Sequence, residues 1–188
     1  MDDALAKVRR RLLHASASLR AAGVPYAVVG GNAVAAWVSR VDEAAVRNTR
    51  DVDILLGRED LPRAILAMTE AGFHHRKISS LGGGSMDVFL EGPEAKVRDA
   101  VHVLFAGERV KPDALAVNAS LDEAEEAGDF RLISLPALVR MKLTAWRDKD
   151  RMHLRDLAGV GLLDPALAAG LPPPLAERLE FLLANPEE

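Results

Sequence analysis

TRDVDILLG, residues 49–57, has the apolar character of a buried strand and yet carries two aspartates one residue apart. Successive strand side chains point to opposite faces. Val52, Ile54 and Leu56 therefore share one face, while Asp51, Asp53 and Leu55 share the other. Two residues of rise hold the carboxylates' backbones roughly 6.5 Å apart. At an effective dielectric of about 20, charges at that distance repel by about 2.5 kcal/mol. A cationic group is expected opposite them.

Upstream of this strand, YAVVGG (26–31) reads as a short buried strand ending in a glycine turn. NAVAAWVSR (32–40) has helical character, with Asn32 placed to cap its start. Before both, Leu5, Val8, Leu12, Ala15 and Leu19 form one helical stripe over residues 3–22, closed by Gly23. Downstream, Asp60 opens a helix whose inner face is Leu61, Ile65 and Met68 and which Gly72 stops. FHHRKIS (73–79), MDVFLE (86–91) and AVHVLFAG (100–107) are three further strands, the first two separated by LGGGS (81–85). Residues 111–129 are polar and acidic and read as a connector over the surface. SLPALVRMKLTAWRDKD (134–150) reads as one helix capped by Ser134, with Pro136 tolerated in its first turn. RMHLRDLAGV (151–160) is a second helix, and LPPPL (171–175) a rigid break before a last one at 175–184.

The whole chain is 188 residues, enough for a real core, and 49% hydrophobic with 28% charged residues, as in a globular rather than a disordered protein. It has no cysteine, which excludes disulfides and thiolate zinc sites. A net charge of −4 argues against a general nucleic-acid binder; RNA contact would need a local basic patch such as Arg9, Arg10 and Arg11. Residues 21–39 carry no charge, but Pro25, Gly30, Gly31 and Asn32 break them into strand, turn and helix, so no membrane span is expected. The N-terminus is unlike a signal peptide, and a cytoplasmic protein is expected.

Strand, Gly-Gly, helix, then Asp-x-Asp on the next strand is an order with a chemical rationale. Glycines let backbone N–H groups approach phosphate oxygens beside a helix N-terminus, where the dipole favours anions. Carboxylates on the neighbouring strand can hold Mg²⁺ together with substrate phosphates. Two such ions can flank the attacking and leaving oxygens of a phosphoryl displacement.

VVGGNAVAAW followed by NTRDVDILL resembles the nucleotidyltransferase superfamily of the DNA polymerase β type over about residues 24–57. LVRMKLTAWRDKDRMHLRDL resembles the lysine-bearing C-terminal helices of its small bacterial toxin and abortive-infection branch. The resemblance implies an α/β (α+β) fold: a small mixed sheet flanked by helices, with a C-terminal helical segment. The expected division is a core at 1–110, a connector at 111–133 and a helical segment at 134–188 packed on the core. It further implies transfer of a nucleoside monophosphate from an NTP to an acceptor hydroxyl, on a tRNA end or a protein, with an antitoxin as a further partner. Small acceptors such as aminoglycosides are also compatible.

By the same resemblance Asp51 and Asp53 coordinate Mg²⁺ (or Mn²⁺), and Gly30, Gly31 and Asn32 line the triphosphate with Thr49 and Arg50. Lys142, on an apolar helical stripe, is either a phosphate contact or a lysine snorkelling from the stripe's edge. In RDKDR (147–151) a solvated helix end competes with Lys149 or Asp150 facing the cleft, and Asp156 shares a helix face with Met152 and His153. The family normally adds a third carboxylate from a later strand, but here His102 occupies that place. Asp87, one strand earlier in the same apolar-acid-apolar setting, can substitute if its strand neighbours Asp51 and Asp53. His102 itself is a candidate ligand, base or structural histidine. A nucleotide-binding module without catalysis is the alternative. No GxGxxG, GxSxG or Gly-Lys-Ser/Thr pattern is present, and His74 and His75, pointing to opposite faces, are poorly placed to share a metal.

Overall fold

The computed structural model describes residues 2–79 and 84–186, with side chains from Leu5 onward. The glycine linker read at 81–85 thus lies largely outside the described residues. Helix α1 (Asp2–Ala21) precedes β1 (Tyr26–Val29), α2 (Gly30–Ser39), β2 (Val52–Leu56) and α3 (Leu61–Glu70). The antiparallel pair β3 (His74–Ser79) and β4 (Ser85–Leu90) leads into β5 (Val101–Phe105). A hairpin of β6 (Ala124–Ala127) and β7 (Phe130–Ile133) then precedes α4 (Leu135–Ala145), α5 (Asp148–Gly159) and α6 (Pro173–Ala184).

The strands form one seven-stranded mixed sheet in the order β3-β4-β5-β2-β1-β7-β6. β2 runs parallel to β5 and β1 parallel to β7, while the remaining neighbours are antiparallel. The expected α/β architecture, a mixed sheet flanked by helices, is the one observed. Helices cover both faces. On one, Val52, Ile54 and Leu56 pack with α1 residues Val8, Leu12 and Leu19 and α3 residues Ala64 and Met68. On the other, Leu55 packs with Ala27 and Val29 against Val34 of α2, Leu138 and Leu143 of α4, Leu154 of α5 and Leu179 of α6. The alternation in VDILL therefore sends its apolar residues into two cores and leaves Asp53 on the face of the C-terminal helices.

Two local readings need correction. Residues 111–133 are more than a connector, because Ala124–Ile133 form the hairpin that lengthens the sheet beside β1, with Val28 in register with Leu132. Residues 134–150 are not one helix: α4 stops at Ala145, Trp146 adopts a left-handed conformation (φ 49°), and α5 starts at Asp148. Trp146 is the one non-glycine residue with positive φ among the described residues. Its N–H closes on the Lys142 carbonyl, and the guanidiniums of Arg151 and Arg178 lie 5.9 and 5.2 Å from its ring. Neither Asn32 nor Ser134 caps a helix through its side chain. α2 begins two residues earlier than expected, at Gly30, and its Asn32 turns to the aspartate strand instead.

Candidate active site at the aspartate strand

Asp53 sits at the centre of the arrangement, in register with Val29 of β1 on one side and His102 of β5 on the other. Asp51 lies just ahead of β2, and its backbone is held by neighbours. Asn32 Nδ2 donates to the Asp51 carbonyl at 2.7 Å, and Arg11 donates to the Arg50 carbonyl at 3.3 Å while its guanidinium pairs with Glu91 at 2.8 Å. The Thr49 hydroxyl donates to Asp51 Oδ1 at 2.7 Å. Burial favours the neutral acid at Asp51, but the Thr49 hydroxyl together with the charges of Lys149 and His102 outweighs it and holds the carboxyl below its ordinary value.

The expected cations are present. His102 Nδ1 stands 3.4 Å from Asp53 Oδ1 and 3.9 Å from Asp51 Oδ2, and Lys149 Nζ reaches to 3.9 Å from Asp51 Oδ2. His102 Nε2 lies 2.9 Å from the Val97 carbonyl. A carbonyl only accepts, so Nε2 carries the hydrogen. Burial opposes charge on His102, but the bond to Asp53, the Val97 carbonyl and the nearby carboxylates together raise its pKa. Asp51, Asp53 and His102 each offer a ligand atom within 4.8 Å of the others, a spacing one cation can bridge.

The two glycines make room for these acids. A Cβ on Gly30, whose φ is +66°, would lie 1.9 Å from Asp53 Oδ2, and one on Gly31 would lie 2.8 Å from Thr49 Oγ1. Val29, at the helix N-cap, provides no side-chain bond, and α2 has no acid in its first turn. The first N–H groups of α2 thus start beside the carboxylates without a side-chain cap, where the dipole favours an anion.

The remaining expected residues divide. Arg50 is exposed. Lys142 is buried, and its ammonium is bound to Asp150 Oδ1 at 2.9 Å, with Arg147 holding Asp150 Oδ2 at 2.6 Å. Burial lowers the Lys142 pKa, with Asp150 and then Asp53 partly opposing, so this ammonium adds to the field at Asp53 from behind an ion pair. Asp156 accepts a two-pronged bond from Arg47, at 2.9 to 3.2 Å, and so ties α5 to the segment before the aspartates. Asp87 is not part of the group. β5 lies between β4 and β2, and Val88, not Asp87, is in register with His102. Asp87 faces the opposite side of the sheet, where it bonds His75 Nε2 at 2.8 Å. Arg9 and Arg10 are exposed, while Arg11 is turned inward, so the three do not form one surface patch. Arg11 and Arg47 are the site-shaping residues that the sequence reading missed. Arg11 falls three after Val8 and four before Ala15, on the buried stripe of α1, and that placement was the available signal.

The fold is one shared with solved nucleotidyltransferase structures. The antibiotic-resistance factor ANT(2'')-Ia, in its solution structure, aligns over 98% of this chain and 91% of its own, with a TM-score of 0.54 and 18% identity. ANT(2'')-Ia in complex with adenylyl-2''-tobramycin gives 0.52 over 95% of this chain and 94% of its own, also at 18% identity. An H. pylori protein provisionally assigned as a nucleotidyltransferase gives 0.53 at 15% identity, over 98% of this chain and 81% of its own. No protein-family model matches the chain, and no curated protein matches it.

Proposed function

We propose that the protein transfers a nucleoside monophosphate from an NTP to an acceptor hydroxyl. The observation that carries this reading is the convergence of Asp51, Asp53 and His102 beside the uncapped start of α2, with Gly30 leaving just enough space for the Asp53 carboxylate. The acceptor oxygen forms a bond to the α-phosphorus, the bond to the pyrophosphate oxygen breaks, and the hydroxyl proton leaves to solvent or a nearby base. The donor set, two carboxylates and a ring nitrogen, fits a divalent cation. Such an ion, when bound, neutralises charge on the phosphates and on the attacking oxygen.

The chain's own groups do the positioning. The first N–H groups of α2 receive phosphate oxygens. Thr49 orients Asp51; Asn32 and Arg11 fix the backbone of residues 50–51. Arg50, exposed beside Asp51, and Lys149 supply positive charge for the outer phosphates. Lys142 supports the acids electrostatically rather than gripping phosphate, since its ammonium is committed to Asp150.

For the acceptor, a tRNA end or protein hydroxyl, with an antitoxin partner, is the reading drawn from the sequence resemblance. ANT(2'')-Ia, which shares the fold, has been solved with adenylyl-2''-tobramycin, so an aminoglycoside hydroxyl is the other acceptor to be tested. A panel decides: each radiolabelled NTP, with Mg²⁺ or Mn²⁺, is offered tRNA, total protein and aminoglycosides. Label fixed by wild type and lost in Asp51→Asn and Asp53→Asn, with both variants folded, is expected. Full transfer by those variants would contradict the mechanism. The presence of a histidine where a third acid is usual favours a second reading, a nucleotide-binding module without catalysis. It predicts NTP binding with no pyrophosphate released.

A further inference from the structure

We propose that His102 is a metal ligand through Nδ1, and that this nitrogen makes the centre selective for a first-row transition cation over Mg²⁺. The proposal rests on the transferase reading only for the ion's purpose; the ligand assignment stands on geometry. Register places His102 directly beside Asp53, so its ring rises from the sheet next to that carboxylate. Nε2 donates to the Val97 carbonyl at 2.9 Å, which in the neutral imidazole leaves the lone pair on Nδ1. That atom is the one 3.4 Å from Asp53 Oδ1 and 3.9 Å from Asp51 Oδ2. Without an ion, a proton on Nδ1 satisfies the neighbouring carboxylates; a divalent cation displaces that proton and takes the lone pair and both carboxylates together. An outer N–H held by a backbone carbonyl is also the usual way a ligating histidine is oriented.

The ligand chemistry then sets the choice of ion. Mg²⁺ prefers six oxygens in a near-ideal octahedron, whereas imidazole nitrogen favours later ions, and Mn²⁺ accepts carboxylate, water and phosphate oxygens as well. Replacing an oxygen ligand by Nδ1 penalises Mg²⁺ most. The Val97 carbonyl, by fixing the ring, adds to the effect; losing an outer-shell partner of this kind costs metal sites about 10–100-fold in affinity.

The test is made on the full chain loaded with Mn²⁺ and requires no turnover. Pulsed electron paramagnetic resonance of the bound Mn²⁺ is expected to show the coupling of a directly bound imidazole nitrogen, lost in His102→Gln. Competition of Mg²⁺ for the same site is expected to give a Mn²⁺ to Mg²⁺ affinity ratio at least about tenfold higher in wild type than in His102→Asp. No nitrogen coupling in wild type, or an equal ratio in both proteins, overturns the proposal. Nitrogen coupling without nucleotide transfer to any acceptor would keep the ligand and remove the transferase reading. Transfer best supported by Mg²⁺, with no nitrogen coupling, would do the reverse.

Discussion

Gly30 is the residue on which the site's geometry turns. Its left-handed backbone and the 1.9 Å approach of a notional Cβ to Asp53 Oδ2 are two separate obstacles to any side chain. Gly30→Ala is expected to cost about 1–3 kcal/mol in stability from the backbone alone. It should also swing the Asp53 carboxylate away and abolish transfer, as urea unfolding and a turnover assay will show. At Gly31 φ is ordinary and the obstacle is the Thr49 side chain, so Gly31→Ala should be milder in stability and act through Asp51. Both acids and both glycines were legible in the sequence because the pattern is local: alternation fixed the acids' face, and the glycines sat at a strand end. Asp87 shows the limit of that reasoning. Its flanking residues resemble those of Asp53, and only strand order and register, both long-range properties, separate them.

At the level of elements, the break at Trp146 sets the C-terminal wall of the site. Turning the chain between α4 and α5 brings Lys142 and Asp150, eight residues apart, to 2.9 Å, with Lys149 carried past them toward Asp51. Burial favours the neutral form of Asp150, but Arg147 and Lys142 outweigh it and keep the carboxyl below its usual value. Removing one member of a buried pair strands the other charge. Asp150→Leu, which leaves the buried Lys142 ammonium without its partner, is therefore expected to cost about 3–5 kcal/mol. Lys142→Met should cost less, because Arg147 still pairs with Asp150. The double variant Lys142→Met, Asp150→Leu should be less destabilised than the sum of the singles, a double-mutant cycle being the check. The helical content here was legible from the apolar stripe, but the break was not, since Trp-Arg-Asp carries no glycine or proline. The β6–β7 hairpin escaped for another reason. Its glutamates and alanines are poor strand formers, and they hid the Gly128-Asp129 turn that joins Ala127 to Phe130.

The whole molecule packs a core on each face of one sheet, and His153 of α5 stands near the charges of Lys142, Asp150, Asp156 and Lys149. One consequence is acid sensitivity. Burial, and after it the charge of Lys142, pushes the His153 imidazole down to about 4 from 6.5. Between those values the unfolded chain takes up a proton that the folded chain refuses, so stability falls as pH drops from 6.5 to about 4. His102 has the opposite sign. Its raised pKa contributes stability that is complete below 6.5 and is lost as pH rises through the folded value, so it adds nothing to the acid limb. The metal-free protein should therefore unfold in less urea at pH 4.5 than at pH 6.5, and His153→Gln should flatten that slope. Among the described residues no helix is long and apolar enough to cross a membrane.

In the proposed reaction the α-phosphate of an NTP is moved and pyrophosphate leaves. Its most direct measurement follows one NTP labelled at either the α or the γ phosphorus, with the acceptor panel, the divalent ion, and the Asp51→Asn, Asp53→Asn double variant in parallel. The expected result is α label on an acceptor, γ label in pyrophosphate, and neither with the double variant. γ label on the acceptor, or α label equally fixed by the double variant, would contradict it.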